Sequence, residues 1–149
     1  MHNRIMLAGF GGQGIILAGK ILAHAAMIEG KEVSHFPSYG AEMRGGTCNC
    51  AVIVSEKLIS SPMVIHPDIL LAMNGPSYTK FLSKCGGGAL VIVNSSLVSD
   101  TGKRTDVREA SVDATRIAEE LGNVRAANMV MLGAFVKHSG LLSLESMIE

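Results

Sequence analysis

Two glycine-rich stretches of this chain contain residues that could do chemistry. The first, GFGGQGI, spans Gly9–Ile15, and the second, SYGAEMRGG, spans Ser38–Gly46. Closely spaced glycines let a backbone turn tightly and approach a phosphate, which the free amide groups of a following helix attract. An arginine near a glutamate can pair with it, or can fork onto a carboxylate or phosphate. Together the two stretches predict a site for a negatively charged ligand.

The first loop fits a phosphate-binding pattern. Gly9, Gly11 and Gly14 match G-x-G-x-x-G between a predicted strand and a predicted helix. Gln13 stands at the helix start, where its amide either reaches a phosphate or caps the loop. A purely structural turn also needs glycine, and that alternative stays open. The position of the pattern in the chain favours a phosphate-bearing ligand.

The residues that follow narrow the class of ligand. A dinucleotide-binding fold places an acid at the end of its second strand to hold the ribose. Here that region reads SHFP (34–37), and the nearest acid, Glu32, lies at the beginning of the strand, so NAD is disfavoured. No lysine followed by Ser or Thr comes after the glycines, so a P-loop ATPase is disfavoured too. A pantetheine-type or other diphosphate ligand remains, as does an extended nucleotide whose ribose is held elsewhere.

The second loop holds the most polar residues of an apolar chain. It follows the second predicted strand, so we expect it at the carboxyl edge of the sheet, beside the glycine loop. Glu42 and Arg44 carry its charge, and Gly40, Gly45 and Gly46 permit close backbone approach. A turn locked by a Glu42–Arg44 salt bridge explains the same residues. The residue types alone do not decide between a ligand site and such a turn.

The elements that carry these loops alternate between strand and helix. Apolar or alternating runs predict strands at Arg4–Gly9, Lys31–Phe36, Thr47–Ser55, Asp68–Asn74, Ala89–Asn94 and Val107–Val112. Helical patterns cover Gln13–Glu29, Gly75–Cys85, Asp113–Gly122, Ala126–Gly140 and Ser143–Glu149. This order predicts an α/β, Rossmann-like three-layer domain with a largely parallel sheet. Pro37 is expected to end the second strand, and Asp113 to cap the third helix.

Several other polar or sulfur-containing residues predict structural roles. Cys48 and Cys50 alternate on one strand face and are interpreted as packed thiols. Asn94 is interpreted as a turn residue after the fifth strand, and Met129 and Met131 as core. For Asn128 a helix cap, a buried contact and a subunit contact all stay open, and His35, beside the second loop, could contact a ligand.

Composition bounds the class of protein. The 149 residues suit one domain, and 48 % hydrophobic residues against 17 % charged ones indicate a globular core. Thirteen basic and thirteen acidic residues predict no nucleic-acid partner, because such a protein needs a basic face. The longest apolar segment is broken by glycines, so no membrane span is predicted. The odd count of three cysteines indicates a reducing compartment, the cytoplasm. Helical pattern continues to Glu149 without a cap, which predicts a chain shortened at its C-terminus.

Beyond these single features, the chain strongly resembles the gamma subunit, or gamma domain, of 2-oxoacid:ferredoxin oxidoreductases. GFGGQGIILAGKILAHAA and FPSYGAEMRGGTCNCAVIVS carry the resemblance, and ALVIVNSSLV and NMVMLGAFVKHSGLLSLESMIE extend it over nearly the whole chain. The segment PSYGAEMRGGTCNC is most similar to the 2-oxoglutarate type of these enzymes. The resemblance implies that residues 1–149 form a pyruvate/ketoisovalerate oxidoreductase gamma-type catalytic domain.

The resemblance also implies a reaction and a division of labour. The complete enzyme converts a 2-oxoacid, coenzyme A and oxidised ferredoxin into acyl-CoA, CO2 and reduced ferredoxin. Thiamine diphosphate, Mg and 4Fe-4S clusters would belong to partner alpha, beta and delta subunits, so this chain would hold no catalytic residue or metal and would be inactive alone. The implied contacts with coenzyme A are Gly9, Gly11, Gly12, Gln13 and Gly14, and those with ligand or partner subunits are Ser38, Tyr39, Gly40, Glu42, Arg44, Gly45 and Gly46.

Three alternatives remain from the sequence. The substrate could be pyruvate, a branched-chain 2-oxoacid or indolepyruvate, because this chain lacks the subunit that binds the oxoacid. Both loops could serve subunit contacts only, in a scaffold without a ligand. A free-standing nucleotide-binding protein is weakened by the absent ribose acid, and an isolated chain is expected to pair with itself through surface meant for partners.

Overall fold

The computed structural model describes residues 2–39, 47–99 and 101–148 and contains a six-stranded sheet. Its strands are β1 His2–Phe10, β2 Glu32–Tyr39, β3 Thr47–Ser55, β4 Ile69–Ala72, β5 Leu90–Asn94 and β6 Arg108–Val112. The helices are α1 Ile15–Ile28, α2 Gly75–Leu82, α3 Ala114–Glu120, α4 Ala127–Ser139 and α5 Leu144–Ile148, with a 3-10 turn at Val124–Ala126. None of these helices is long and apolar enough to cross a membrane.

The sheet runs in the order β2-β3-β1-β4-β5-β6. Parallel pairs join β1 to β4, β4 to β5 and β5 to β6, whereas β3 is antiparallel to both of its neighbours. Because β3 alone is reversed, β2 runs in the same direction as β1. The carboxyl ends of all the other strands therefore meet at one edge of the sheet. The predicted α/β fold with a largely parallel sheet is confirmed.

Strand register places the ends of the second loop close to the glycine loop. Phe10, the last residue of β1, is paired with Thr47, and Tyr39, the last residue of β2, is paired with Cys48. The backbone therefore leaves β2 and enters β3 at the edge where β1 ends. Residues 40–46 between these two points lie outside the described residues.

Apolar side chains pack on both faces of the sheet. On one face α1, α3 and α4 cover a cluster that includes Leu22, Val52 and Phe135, all fully buried. On the other face α2 packs Tyr78 and Phe81 onto alternate residues of the same strands. Burying one such large apolar side chain contributes about 1.5–3 kcal/mol. The result is the predicted three-layer arrangement.

Helix α1 packs closely on β3 at Gly19, which has no side chain. A Cβ at this position would lie 2.5 Å from Cys50 Sγ, on the strand beneath. Cys48, Cys50, Val52 and Val54 share this buried face of β3, as their alternation predicted. Close contact between α1 and β3 fixes the start of the helix, and with it the glycine loop.

Two predicted boundaries were wrong. β2 continues through Pro37 to Tyr39, because an edge strand has one side without a ladder and tolerates the missing N–H there. Helix α2 ends at Leu82 rather than near Cys85. Arg104 satisfies carbonyls at this helix end, since its Nη1 donates to Leu82 O at 2.9 Å and to Cys85 O at 2.8 Å. The cation also opposes the negative end of the helix dipole.

Candidate functional site

The glycine loop folds back on itself between β1 and α1. Gln13 N donates to Phe10 O at 3.2 Å, and Phe10 N donates to Gln13 Oε1 at 2.7 Å. Gly12 has φ 92° and Gly14 has φ 74°, which is a region that favours glycine. Both glycines are therefore required by the backbone path of the turn.

The first turn of α1 has unsatisfied amide groups. The first backbone bond at its start joins Ala18 N to Gly14 O at 2.9 Å, and no described side chain caps the helix. The preceding amides, on residues 15–17, consequently have no acceptor within the helix. These groups and the positive end of the dipole of a 14-residue helix attract an anion.

A cavity of about 210 Å³ opens beside this loop. It lies beside the ends of β1, β4 and β5 and beside the 3-10 turn that precedes α4. Its lining residues are Gly12, Gln13, Met73, Leu97, Thr115, Val124, Arg125 and Ala127. Arg125 is the charged residue of this lining, and its side chain forms no ion pair or hydrogen bond with a described residue. The cavity therefore combines glycine backbone with an available guanidinium, which suits a phosphate or diphosphate group.

Arg125 was missed by the sequence analysis. It stands in the 3-10 turn between α3 and α4, with no motif around it. The turn is fixed locally, because Asn123 Oδ1 accepts a hydrogen bond from Arg125 N at 3.1 Å. The segment is more than one hundred residues from the glycine loop in the chain, and only the sheet topology brings it there.

A buried amide, Asn74, holds the glycine loop from the side of β4. Its Oδ1 accepts from Ser77 N at 3.0 Å and so caps α2. Its Nδ2 donates to Gln13 Oε1 at 3.0 Å. Of the two roles predicted for Gln13, the amide oxygen fulfils the capping one: it accepts from both the loop backbone and Asn74.

A second buried amide, Asn128 of α4, holds the other side of the loop. Its Nδ2 donates to Gly14 O at 3.2 Å, and its Oδ1 accepts from Met129 N at 2.9 Å. A Cβ on Gly14 would lie 2.3 Å from Nδ2, so the close approach also requires glycine there. Of the alternatives left open for Asn128, the structure shows a buried contact.

A third buried amide, Asn94, organises the far wall of the cavity. Its Nδ2 donates to Thr115 Oγ1 at 2.9 Å and to Met73 O at 3.3 Å, and its Oδ1 accepts from Ala114 N at 3.1 Å. Asn94 also makes the predicted turn, since Leu97 N donates to Asn94 O at 3.1 Å and Ser96 N donates to Asn94 Oδ1 at 3.3 Å, so the capping of α3 is a second role that the turn interpretation did not include.

Asp113 occupies the predicted cap position of α3, but its side chain makes no cap hydrogen bond. Its carboxylate accepts instead from Arg116 and from Ser96 Oγ. These two hydrogen bonds, the one from Arg116 first, lower the pKa of Asp113.

The predicted site residues fall into two groups. Gly9 lies in β1, Gly11, Gly12 and Gln13 form the turn, and Gly14 immediately precedes α1, so the structure brings these residues together. Ser38 and Tyr39 lie in the last part of β2, and Ser38 is exposed. The remaining predicted contacts, Gly40, Glu42, Arg44, Gly45 and Gly46, lie outside the described residues. Ligand contact remains a prediction for all twelve.

Of the four sulfur-containing residues that were predicted to be packed or in the core, three are buried. Cys48 and Cys50 are buried free thiols, and burial raises the pKa of Cys50 to about 12, so the packed-thiol interpretation is confirmed. Met131 is buried as predicted, but Met129 is 40 % exposed, so its assignment to the core was wrong. Met129 lies on the opposite side of α4 from the sheet.

His35 faces α1 rather than solvent. Its Nε2 is buried and has no hydrogen-bonding partner among the residues that the structure describes, and burial lowers the pKa of this imidazole. No group of three or more His, Cys, Asp or Glu side chains in the described ranges is placed to hold a metal ion.

The family model for pyruvate ferredoxin/flavodoxin oxidoreductases matches residues 4–149, which include both glycine-rich loops, the three buried asparagines and Arg125. The chain belongs to this oxidoreductase family. As a member of the family it is similar to subunits of 2-oxoacid oxidoreductase complexes.

Relatives in the family have names for different substrates. The 2-oxoglutarate synthase subunit KorC of Methanocaldococcus jannaschii is 43 % identical over 150 residues, which cover 99 % of this chain and 80 % of KorC. The ketoisovalerate oxidoreductase subunit VorA of Methanothermobacter thermautotrophicus is 43 % identical over 133 residues, which cover 89 % of this chain. The chain spans only 28 % of the length of VorA.

Solved structures of the family share the fold. The gamma subunit of a keto/oxoacid ferredoxin oxidoreductase from Geobacter sulfurreducens matches 97 % of this chain, with a TM-score of 0.84 and 33 % identity, over 82 % of its own length. The 2-oxoglutarate:ferredoxin oxidoreductase from Magnetococcus marinus, with 2-oxoglutarate, coenzyme A and succinyl-CoA bound, matches 98 % of this chain with a TM-score of 0.88 and 26 % identity. This match covers 26 % of the Magnetococcus chain, so the chain described here corresponds to one part of that longer Magnetococcus polypeptide.

Proposed function

We propose that this chain is the gamma subunit of a 2-oxoglutarate:ferredoxin oxidoreductase and that it contributes coenzyme A binding and subunit assembly. The observation that carries the proposal is the placement of Arg125 and Gly12 around one cavity beside the uncapped start of α1. The match to KorC, over 99 % of this chain and 80 % of KorC, supports the 2-oxoglutarate type. The Magnetococcus relative, whose structure contains coenzyme A, supports the ligand.

The cavity fits the diphosphate part of coenzyme A. At about 210 Å³ it is smaller than pockets that enclose a whole ligand, which begin near 300 Å³. Arg125 would fork onto diphosphate oxygens, and the amides at the α1 start would face the same charge. The rest of the coenzyme would extend along the edge of the sheet, toward the second loop and the partner subunits. Arg44 of that loop is a second proposed anchor for a negative group.

In this proposal the chain acts by positioning. Coenzyme A supplies the thiol that receives the acyl group from an intermediate formed on partner subunits. By holding the diphosphate, Arg125 and the glycine loop restrict where the thiol end can reach. Such restriction converts a bimolecular encounter into an effectively intramolecular step, and well-oriented groups gain about 7–11 kcal/mol of the barrier in this way.

Electron chemistry is assigned to other subunits in this proposal. Thiamine diphosphate, Mg and 4Fe-4S clusters would be held by the alpha, beta and delta subunits, and ferredoxin would accept electrons from the complex. The purified gamma chain is therefore expected to show no 2-oxoacid oxidation by itself. Three unpaired cysteines support the proposed cytoplasmic location.

The experiment that tests the coenzyme A site compares two arginines in the reconstituted complex. We expect Arg125→Ala to raise the KM for coenzyme A roughly tenfold or more, because a charge-assisted hydrogen bond contributes about 1.5–3 kcal/mol. Arg116→Ala is the matched control, because Arg116 pairs with Asp113 and Glu120 on the surface and does not line the cavity. Gly12→Val should also weaken binding, since a branched side chain at φ 92° distorts the loop.

A scaffold without a ligand is the alternative outcome of this experiment. It predicts no heat on titration of coenzyme A into the free chain or the complex, and an unchanged KM in Arg125→Ala and Gly12→Val. Circular dichroism of each variant separates a lost contact from a lost fold.

A second candidate keeps the site but changes the oxoacid. VorA, named for ketoisovalerate, is as identical to this chain as KorC, and relatives also include gamma subunits common to pyruvate and ketoisovalerate enzymes. Assays of the reconstituted complex with 2-oxoglutarate, pyruvate, ketoisovalerate and indolepyruvate distinguish the candidates. The 2-oxoglutarate proposal requires the highest kcat/KM with that substrate.

A further inference from the structure

A large apolar groove lies on the outer side of the α1, α4 and α5 layer, away from the proposed coenzyme site. Its volume is about 560 Å³, and it is lined by Lys20, Ile21, His24, Met129, Leu132, Gly133, Val136, Leu144, Met147 and Ile148. Three of these apolar side chains are strongly exposed: Met129 at 40 %, Leu144 at 56 % and Ile148 at 77 %. A contiguous exposed apolar patch of this kind is typical of a protein interaction site.

No contact with the described residues requires glycine at Gly133, in the middle of α4. Glycine destabilises the interior of a helix relative to alanine. A Cβ at Gly133 would have no atom of a described residue within 4 Å, and Gly133 does not have a positive φ. The residue lines the groove, so the bare backbone it provides is open to a group from outside the chain. Close approach of a partner side chain would explain why glycine occurs there.

Lys20 of α1 is the charged side chain among the described residues that line the groove, and none of those described lining residues is a carboxylate. Lys20 forms no ion pair or hydrogen bond with a described residue. A group docked here should therefore present a carboxylate to α1. A two-fold pairing of this groove with that of a second copy would instead bring like charges together.

We propose that this groove receives an amphipathic helix of a partner subunit, with an apolar side chain packed on Gly133 and a carboxylate paired with Lys20. A groove between two helices accepts a third helix through residues spaced at i, i+3, i+4 and i+7. The inference uses one part of the proposed function, that the chain works within a complex. It is independent of whether the chain binds coenzyme A.

Thiol labelling of the free chain and of the co-expressed complex tests the docking site. Met129→Cys places a reactive thiol at the groove, and Leu58→Cys, at a side chain 83 % exposed and outside the groove, is the control. The native thiols are buried and give little background. We expect maleimide to label Met129→Cys at least tenfold more slowly in the complex than in the free chain, with Leu58→Cys unchanged.

Substitutions at the groove test its two specific contacts. Gly133→Ala should raise the Tm of the free chain, because alanine favours a helix, and yet weaken assembly severalfold. Gly133→Leu should weaken assembly at least tenfold while the free chain keeps its circular dichroism. Lys20→Glu should weaken assembly and reduce its dependence on salt, whereas Lys57→Glu, outside the groove, should leave both unchanged.

Three results would overturn the docking proposal. One is equal labelling of Met129→Cys in the free chain and the complex. Another is slow labelling of Met129→Cys already in the free chain. Slow labelling at all concentrations would indicate that the chain itself covers the groove, and slow labelling only at high concentration would indicate that a second copy covers it. The third is normal assembly of Gly133→Leu. Slow labelling in a complex that does not bind coenzyme A would support the groove and contradict the proposed function, so the two failures can be distinguished.

Discussion

Gln13 and Asn74 meet at one oxygen atom on the carboxyl edge of the sheet. Asn74 Nδ2 donates to Gln13 Oε1 at 3.0 Å, and Phe10 N donates to the same oxygen at 2.7 Å. Asn74 also caps α2 through Ser77 N, so the glycine loop and α2 are held by one pair of amide side chains. The backbone that faces the cavity is therefore fixed before a ligand arrives.

A pair of substitutions at Gln13 separates the fold of the loop from its charge. Gln13→Ala removes the acceptor for two donors and should lower the free energy of unfolding by about 1–3 kcal/mol. Gln13→Glu keeps an acceptor in the same place, so we expect near-normal stability. Its negative charge beside the cavity should nevertheless weaken coenzyme A binding by tenfold or more. Urea unfolding and calorimetric titration measure the two effects, and equal coenzyme affinity in Gln13→Glu and the native chain would contradict an anion site there.

Gly14 and Gly12 should respond differently to alanine. Both have positive φ, for which alanine costs about 1–2 kcal/mol, but only at Gly14 would the new Cβ meet Asn128 Nδ2, at 2.3 Å. We expect Gly14→Ala to be the more destabilising by at least about 1 kcal/mol. In a double-mutant cycle, Asn128→Ala should relieve part of this difference, because it removes the colliding amide. Additive effects in urea unfolding would show that the contact is not the cause.

Asn94 should matter more to α3 than Asp113 does, although Asp113 occupies the cap position. Asn94→Ala leaves Ala114 N without its buried acceptor and Met73 O without a donor, so we expect a loss of about 3 kcal/mol or more. Asn94→Asp keeps the acceptor and should lose less. Asp113→Ala should change the unfolding free energy little, because its carboxylate bonds side chains at the surface. A larger loss in Asp113→Ala than in Asn94→Ala would reverse this assignment.

Buried thiols should make the protein sensitive to alkaline pH. Burial raises the pKa of Cys85 from 9.0 to about 11, with nearby Arg104 opposing the shift. The unfolded chain therefore loses the Cys85 proton at lower pH than the folded one, so this contribution to stability is complete below pH 9 and is lost as pH rises toward 11. Guanidinium unfolding at pH 7, 9 and 10.5 measures the loss. Cys85→Ala should show a shallower decline, and an identical slope in both proteins would contradict the role of this thiol.

Much of the fold could be predicted because its signals are local. The apolar runs that became β1, β3 and β5 need only burial on both faces of a sheet, and the glycines between β1 and α1 need only a tight turn. Pro37 was misjudged because its effect depends on whether the strand lies at the edge, which is a property of the whole sheet.

The sequence by itself determined the α/β class, the glycine loop at the edge of the sheet and the packed thiols of β3, since each follows from residue type and short-range spacing. Only the tertiary structure decided which side chains complete the site. Arg125 and Asn128 come from segments far along the chain, and Asn94 caps a helix that begins twenty residues later, through its Oδ1 and Ala114 N. Such pairings depend on strand order and register, which local patterns do not encode, and the exposure of Met129 likewise depends on which face of α4 meets the sheet.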